Sequence, residues 1–297
     1  MPRLVWLNGE IMPLETATTS VADHAHLYGD GLFEGIRIYG SKVFKLDEHL
    51  ARCYHGCKYL GFEMTINPAQ LKKIILDTCS ASEITEGYIR LNVTRGSGLG
   101  LDPRAVKGSP NVMVMVSTLA LYPPEAYQTG LETITSSFRV IPADSLDPRV
   151  KCIGRYASNI LAKQEANVAG AGEAIMLNHQ GEVAEATGDN VFIIKDGVVL
   201  TPEPTSGLLQ GITRDTVIKL LAPDYKVREV AMTRYDLIGA DEAFLTGTAA
   251  EVIPMISLDS RTIGDGKPGP VTQRAMKLFR EHTKEGTPFT IAHATSA

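Results

Sequence analysis

The sequence predicts an α+β fold divided into two domains, and three observations support this. The chain has 297 residues, enough for two domains that each bury a core. Its strand-like segments mostly follow one another through short turns, which favours hairpins over a doubly wound parallel sheet. The pair Pro123-Pro124 cannot lie inside a β-ladder and is typical of an interdomain connection. We therefore predict a small α+β domain over residues 1–118, an interdomain loop over 119–128 and a large domain over 129–297.

Each element of the first domain is predicted from a local pattern. Asn8-Gly9 separates two short apolar runs, as in a tight hairpin. Asp47 has the chemistry of an N-cap, and Asn67-Pro68 combines a cap with a first-turn proline. Strands are predicted over 4–12, 42–46, 88–94 and 111–116, and helices over 48–60, ended by Gly61, and from residue 68.

The second domain is predicted in the same way. Asp196-Gly197 marks a second hairpin turn, and Gly211 precedes a helix-like run. Strands are predicted over 131–140, 173–178, 191–201 and 226–230, and helices over 158–169, after residue 211 and from about residue 271.

Composition excludes several classes of function. The net charge is −5 and no block of five or six like charges occurs, so nucleic-acid or anionic-membrane binding has no electrostatic footprint. The seven histidines lack metal-ligand spacing, and the four cysteines fit neither a disulfide framework nor a zinc site, so no metal is predicted. No run approaches the ~20 apolar residues that span a bilayer. The opening residues are not expected to form a secretory signal, and we predict a reduced cytoplasmic protein.

Lys151 lies where an extended segment gives way to a helix-like one. Its neighbours Val150 and Cys152 favour partial burial, and Arg149 and Arg155 are candidate neighbouring charges. An amine that forms Schiff bases must lose its proton near neutral pH, and desolvation or a nearby cation promotes that loss. The simpler interpretation is a solvated surface lysine, and the remaining motifs decide between the two.

Glu185 lies in a run of small residues, V-A-E-A-T-G, that turns through Gly188 into a strand. Small residues let a flat ligand approach the backbone, and a carboxylate there could pair with a protonated ring nitrogen. Taken alone, an exposed strand glutamate is the simpler interpretation.

Two turns could bind anions. Gly211 precedes a helix, and free N–H groups with the positive end of the helix dipole suit a phosphate, although Thr213 could be an ordinary cap. Residues 246–250, T-G-T-A-A, form a small hydroxyl-rich turn that could donate to a carboxylate or phosphate. An amine, a ring-nitrogen partner and two anion-binding turns together match the aldehyde, pyridine nitrogen and phosphate of pyridoxal 5′-phosphate (PLP).

The order of the motifs resembles a known family. It is similar to the branched-chain and D-amino-acid aminotransferases, which are PLP enzymes of fold type IV. The resemblance runs from Leu4 to about Phe279. The motifs that carry it are Y-G-D-G-L-F-E-G-I-R, H-L-A-R-C, Y-I-R, K-C-I-G-R-Y, E-A-T-G-D-N, G-I-T-R-D and T-G-T-A-A-E.

The resemblance implies roles for the cofactor-binding residues. Lys151 matches the catalytic lysine that links to the cofactor and moves the α-proton. Glu185 matches the partner of the ring nitrogen, and Tyr156 matches the tyrosine that binds the ring hydroxyl. The other cofactor contacts implied are Asn190 behind the ring and, at the phosphate, Arg52, Ile212, Thr213 and Thr248.

The resemblance also implies a substrate pocket with an apolar wall, in which Thr248 and Ala249 face the α-carboxylate. Tyr28 and the loop 98–101 are expected to reach across a subunit boundary, so a homodimer is implied. The implied substrate residues are Tyr28, Phe33, Gly35, Arg37, Tyr88, Arg90, Leu101, Tyr122, Thr248 and Ala249.

Some residues depart from the branched-chain pattern. C-I-G-R-Y follows the usual lysine position, where that group more often has A-G-G-N-Y, and Asp189 replaces a usual glutamate. Tyr122 stands in a linker that has no tryptophan, and L-A-K-Q-E-A resembles the D-amino-acid branch. These departures bear on the substrate more than on the cofactor.

We therefore predict a PLP-dependent transaminase of L-branched-chain amino acids with 2-oxoglutarate, active in amino-acid biosynthesis. Three alternatives share the cofactor: a D-amino-acid aminotransferase, an (R)-amine transaminase and an aminodeoxychorismate lyase. A fourth is a PLP- or metabolite-binding protein without catalytic activity.

Overall fold

The computed structural model describes residues 4–119 and 121–291. The chain forms two compact units, the first from residues 4–119, 150–154 and 283–291 and the second from 121–149 and 155–282. One boundary between the units falls near residue 119, where the predicted interdomain loop begins. The predicted domains nevertheless assign 150–154 and 283–291 to the large domain, whereas both segments pack with the first unit, because each makes backbone contacts with its sheet.

The first unit is built on a seven-stranded sheet whose neighbouring strands all run antiparallel. Along the sheet the order is β16-β4-β3-β5-β6-β1-β2. The strands are β1 (Leu4–Leu7), β2 (Glu10–Pro13), β3 (Gly31–Tyr39), β4 (Lys42–Val43), β5 (Gly87–Thr94), β6 (Asn111–Ser117) and β16 (Thr287–Pro288). Buried and less buried residues alternate along β5 and β6, which leaves one face of these strands packed in the core.

Three helices accompany this sheet: α1 (His24–Tyr28), α2 (Leu46–Leu60) and α3 (Pro68–Ser82). Helix α2 packs on β3, and α3 packs on β1 and β6. Asn67 and Gln70 form a capping box at the start of α3, as the sequence predicts.

Two local predictions for this unit are wrong. The strand expected over 42–46 ends at Val43, because Lys45 adopts a left-handed conformation (φ 52°) and begins helix α2 as its N-cap. Asp47 therefore lies in the first turn rather than at the cap, and its carboxylate pairs with Lys72. A carboxylate in a first turn still complements the helix dipole.

The second unit contains a mixed nine-stranded sheet. Its path is β12-β11-β10-β13-β14-β7-β8-β9, and β15 pairs with β14. The strands are β7 (Leu131–Arg139), β8 (Glu173–Leu177), β9 (Val183–Ala186), β10 (Asn190–Lys195), β11 (Val198–Pro202), β12 (Val227–Val230), β13 (Glu242–Gly247), β14 (Glu251–Leu258) and β15 (Arg261–Thr262). The helices are α4 (Ala126–Thr129), α5 (Tyr156–Val168), α6 (Ile212–Leu221), α7 (Arg234–Ile238) and α8 (Pro270–His282).

Hairpins and helical crossovers both build this sheet. Asp196 and Gly197 have positive φ angles of 49° and 74°, as a two-residue hairpin turn requires, and they join β10 to β11. The parallel pairs β7·β8 and β11·β12 are joined through α5 and α6, because parallel neighbours need a long connection. The α+β prediction is confirmed. Among the described residues, no helix combines the length and the apolar character that crossing a bilayer requires.

Candidate active site

Main-chain contacts tie the lysine segment to strand β3 of the first unit. The Phe33 N–H donates to the Lys151 carbonyl over 3.2 Å, and Leu32 forms an antiparallel bridge with Cys152. The segment is therefore an extra backbone partner of β3, and its position does not depend on the lysine side chain.

Two glycines permit this approach. The Gly154 N–H donates to the Gly29 carbonyl over 3.1 Å, and a Cβ placed on Gly29 would lie 2.5 Å from the Gly154 Cα. Gly29 also has a φ of 72°, which disfavours other residues. The glycines of the Y-G-D-G and C-I-G-R motifs thus have a physical reason, namely close backbone packing beside the lysine.

The Lys151 side chain lies against an aromatic ring. Its ammonium nitrogen is 4.5 Å from the centre of the Phe33 ring, and the Arg90 guanidinium carbon is 3.7 Å from the same centre. The Arg90 Nε donates to Asn92 over 3.0 Å, which fixes the guanidinium. Lys151, Phe33 and Arg90, three of the predicted site residues, thus lie together.

One face of β3 and β5 carries five of the ten predicted substrate residues. Phe33, Gly35 and Arg37 alternate along β3, and Gly35 and Arg37 stand opposite Arg90 and Tyr88 of β5. Residues opposite one another in an antiparallel pair point to the same side. The five side-chain positions therefore share a face.

Gly35 makes room for Tyr88 rather than only lining a pocket. A Cβ on Gly35 would lie 2.1 Å from the Tyr88 hydroxyl oxygen. We expect Gly35→Ala to displace the hydroxyl, because the tip of a side chain moves more easily than two strands. The KM for L-leucine should rise about tenfold with a smaller change in kcat. Steady-state kinetics of Gly35→Ala, Tyr88→Phe and the double variant test whether Gly35→Ala acts through the Tyr88 hydroxyl. If the effects of the two substitutions on KM are fully additive, Gly35→Ala does not act through that hydroxyl.

Arg52, the predicted phosphate ligand, is held by a buried carboxylate. Its Nε and one terminal nitrogen donate to the two oxygens of Glu34 over 2.8 and 2.7 Å. The His49 Nδ1 lies 2.8 Å from Glu34, whose exposed fraction is 1%. A bidentate pair of this kind fixes the plane of the guanidinium as well as its position.

The charges of Glu34, Arg52 and His49 predict that the protein becomes less stable in acid. Burial by itself would raise the pKa of Glu34, but the charge and hydrogen bonds of Arg52, with the bond to His49, lower it to about 2. Burial lowers the pKa of His49 more than Glu34 raises it. Both folded-state pKa values are depressed, so the stability they contribute is present at higher pH and lost as the pH falls.

We expect the loss due to His49 to begin as the pH falls through about 6.5, and that due to Glu34 between about 4.5 and 2. The free energy of unfolding should therefore drop between about pH 7 and pH 5.5, because His49 takes up a proton more readily in the unfolded chain. Urea titrations of the apoprotein measure it, with His49→Gln as the comparison. An unchanged drop in that variant would show that His49 is not responsible.

Two further predicted substrate residues lie at the surface of the first unit. The Tyr28 hydroxyl accepts the Gly100 N–H over 3.0 Å, and Tyr28 is 43% exposed. Leu101, in the same loop, is 81% exposed. The structure thus joins Tyr28 to the loop 98–101, and their predicted contact with a second subunit stays a prediction.

In the second unit, Glu185 is buried rather than exposed. It lies on β9 with 5% of its surface exposed, so the simpler sequence interpretation is wrong. Its Oε1 accepts from Arg155 over 2.7 Å and its Oε2 accepts the Leu209 N–H over 2.9 Å. Arg155 also lies 5.6 Å from the ring centre of Tyr156, the first residue of α5.

Asn190 supports both Glu185 and the start of α6. Its Nδ2 donates to the Leu209 carbonyl, so Asn190 and Glu185 bind the same stretch of main chain. A Cβ on Gly211 would lie 2.1 Å from the Asn190 Oδ1, which explains the glycine. Gly211, rather than Thr213, is the N-cap of α6, and no side chain caps the first turn. Ile212 and Thr213 therefore begin the helix with main-chain N–H groups suited to an anion.

The second turn predicted to bind an anion follows β13. Thr248 and Ala249 lie in it half-buried. A Cβ on Gly247 would lie 1.8 Å from an Asp189 carboxylate oxygen, so Asp189 packs directly on the turn. This contact requires glycine at position 247, because a larger residue there would overlap the Asp189 carboxylate.

Tyr122 is engaged within the second unit. Its hydroxyl lies 3.0 Å from a Glu173 oxygen and 3.4 Å from an Asp189 oxygen. Burial first, and then the two carboxylates, raise its pKa far above the ordinary value, so the hydroxyl keeps its proton and donates. Any contact of Tyr122 with the substrate would therefore be made by its ring rather than by its hydroxyl, and this contact stays a prediction.

Sequence reasoning missed Glu34 and His49, and it proposed Arg155 only as a charge beside Lys151, whereas Arg155 pairs with Glu185. All three lie inside the recognised motifs, yet the motifs alone assign no partners to them. An ionisable residue within an apolar strand, such as Glu34, is a signal that could have been used. Arg149, proposed as a neighbouring charge, pairs instead with Asp147, and its side chain is 60% exposed.

The chain is similar to known proteins over most of its length. The model of the family "Amino-transferase class IV" matches residues 31–258. A putative branched-chain-amino-acid aminotransferase of Methanocaldococcus jannaschii is 42% identical over 285 residues, which cover 95% of this chain and 97% of that protein.

Solved structures show the same likeness. A T.th. branched-chain amino acid aminotransferase with pyridoxamine 5′-phosphate is 39% identical and has a TM-score of 0.90, covering 95% of this chain and 94% of that chain. The same T.th. enzyme complexed with N-(5′-phosphopyridoxyl)-L-glutamate is 38% identical with a TM-score of 0.88, at the same coverage.

Proposed function

This chain belongs to the class IV aminotransferase family, and we propose that it is a PLP-dependent transaminase of L-branched-chain amino acids that uses 2-oxoglutarate as amino acceptor. The observation that carries the proposal is the cluster of Lys151, Phe33 and Arg90, in which an amine and a guanidinium lie on one apolar ring.

The residues present fit PLP. Arg52 is oriented by Glu34, which suits it to bind a phosphate. The first turn of α6 has no capping side chain, and its free N–H groups likewise suit a phosphate. An ionised carboxylate has about four acceptor positions, and the bonds from Arg155 and Leu209 occupy two of those on Glu185, which leaves capacity for a ring nitrogen. Tyr156 would bind the ring hydroxyl, and Asn190 supports Glu185 through Leu209.

When bound, PLP supplies an aldehyde for the substrate amine and a ring that withdraws electrons from the Cα atom. Lys151 Nζ would hold the cofactor at rest and accept the Cα proton once the amino acid has displaced it. Thr248 and Ala249 would bind the α-carboxylate, and Glu185 would hold a proton at the ring nitrogen.

One pocket must accept both substrates. The Phe33 ring would contact the branched side chain, since it offers an apolar surface. Arg90, with Tyr28, would pair with the second carboxylate of 2-oxoglutarate, because a guanidinium binds carboxylates in a defined geometry. The T.th. enzyme complexed with a phosphopyridoxyl-glutamate supports this part by similarity.

Half-reaction spectroscopy tests the proposal. The purified enzyme is mixed separately with L-leucine, D-alanine, D-glutamate and (R)-1-phenylethylamine, and conversion to the pyridoxamine form is followed by absorbance. L-leucine is expected to convert the enzyme rapidly to the pyridoxamine form, and 2-oxoglutarate is expected to convert that form back rapidly. Faster conversion by a D-amino acid or by the amine would support the proposed cofactor chemistry but contradict the proposed substrate class.

We also propose a cytoplasmic homodimer. The exposed Tyr28 and Leu101 in the first unit support a second copy at that surface, since exposed apolar side chains in one loop region favour an interface. Sedimentation of the holoenzyme tests the assembly, and a monomer at micromolar concentration would contradict it.

A further inference from the structure

Arg155 is one of the most deeply buried charged residues that the structure describes in the second unit. We propose that Arg155 is a positioning residue that holds the Glu185 carboxylate for the ring nitrogen of the cofactor. The inference rests on the proposed function, because it assigns the ligand of Glu185.

The geometry ties Arg155 at both ends. One terminal nitrogen donates to the Glu185 Oε1 over 2.7 Å, and the other donates to the Pro148 carbonyl over 2.8 Å. Only 2% of the Arg155 surface is exposed. A cation so buried is costly unless it is paired, and Glu185 supplies the opposite charge.

The second carboxylate oxygen is also fixed. The Leu209 N–H donates to the Glu185 Oε2, and Asn190 holds the carbonyl of Leu209. Glu185 therefore has a single orientation set by groups on two sides of it. A ligand that pairs with a carboxylate already held in place loses less entropy than one that must order it.

The placement of Arg155 gives two routes by which its loss could affect cofactor binding. It immediately precedes Tyr156, the proposed partner of the ring hydroxyl, and its guanidinium lies 5.6 Å from that ring centre. Loss of Arg155 could thus act through Tyr156 or through Glu185. Only the second route depends on the ring nitrogen, so a cofactor analogue without that nitrogen separates the two.

The experiment measures dissociation constants of the apoprotein for PLP and for its analogue in which carbon replaces the ring nitrogen. Arg155→Met is expected to weaken PLP binding about tenfold and to change binding of the analogue less than about twofold. Arg155→Lys, which keeps the charge, should retain most of the PLP affinity. In a protein that already carries Glu185→Gln, Arg155→Met should change the dissociation constants for PLP and for the analogue to the same extent.

Equal weakening of both compounds would show a purely structural role and overturn the inference, as would tighter binding of PLP. If Arg155→Met does not fold, Arg155→Gln, which can still donate to the Pro148 carbonyl, gives the same comparison. Should neither compound form the absorbance band of a lysine-bound cofactor in the unaltered protein, the proposed function itself falls, and the inference with it. That band and the ratio of affinities are separate readouts, so the two failures are distinguishable.

Discussion

Lys151→Ala is expected to lower the rate of the L-leucine half-reaction by at least roughly a thousandfold, because one side chain would lose two roles. In the proposed mechanism the amine would both hold the cofactor and move the Cα proton, and a positioned acid–base group alone contributes about 10²–10⁴-fold. Stability should change little, since the segment is held by main-chain bonds to β3 and not by the side chain. Single-turnover absorbance and thermal unfolding measure the two effects.

The matched control is Lys195→Ala, whose lysine pairs with Asp241 and has a side chain 45% exposed. It should leave the rate within about twofold of the parent. Added methylamine should restore part of the rate to Lys151→Ala, because a free amine can take up the Cα proton in place of Nζ. A variant that retained a tenth of the parent rate without added amine would overturn the role of Lys151.

Glu34→Gln is the second change with a large expected effect, here on both stability and cofactor binding. The variant keeps the volume of the side chain but leaves the Arg52 guanidinium without its bidentate partner. Removing one member of a buried ion pair costs about 3–5 kcal/mol, so the free energy of unfolding of the apoprotein should fall by that amount. The affinity for PLP should fall about tenfold, equivalent to about 1.4 kcal/mol.

Pyridoxal, which lacks the phosphate, separates the two effects. If Glu34 acts by orienting Arg52 toward the phosphate, affinity for pyridoxal should change much less than affinity for PLP. Glu48→Gln is the matched control, because Glu48 lies on the same unit with a side chain 51% exposed and pairs only at the surface with Lys45. Equal losses for both compounds in Glu34→Gln would contradict a specific role at the phosphate.

The hairpins and helices were predictable because their signals are local. Asn8-Gly9 and Asp196-Gly197 adopt the positive φ angles that their residue types favour, and Asn67 with Gln70 closes its capping box within four residues. Predictions failed where a local preference was overridden. Lys45 takes a left-handed conformation that lysine disfavours, and the strand predicted through it ends early.

The chemistry of the candidate site was also visible in the sequence, because each motif carries its own reactive group. Lys151, Glu185 and Arg52 stand in short motifs whose order alone indicates the family. Their partners were not visible. Glu34 meets Arg52 across 18 positions and Arg155 meets Glu185 across 30, and periodicity reports which face a residue occupies but not what lies opposite.

By itself, then, the sequence determined the α+β class, the positions of the turns and the set of groups needed for PLP chemistry, since all three follow from residue types and short spacings. Only the tertiary structure decided that the lysine segment joins the first unit, through bonds to residues about 120 positions away, and that Gly35 leaves space for Tyr88. The physical reason is that partner choice depends on how distant surfaces pack together. That packing is a cooperative property of the whole chain and is not encoded in any local pattern.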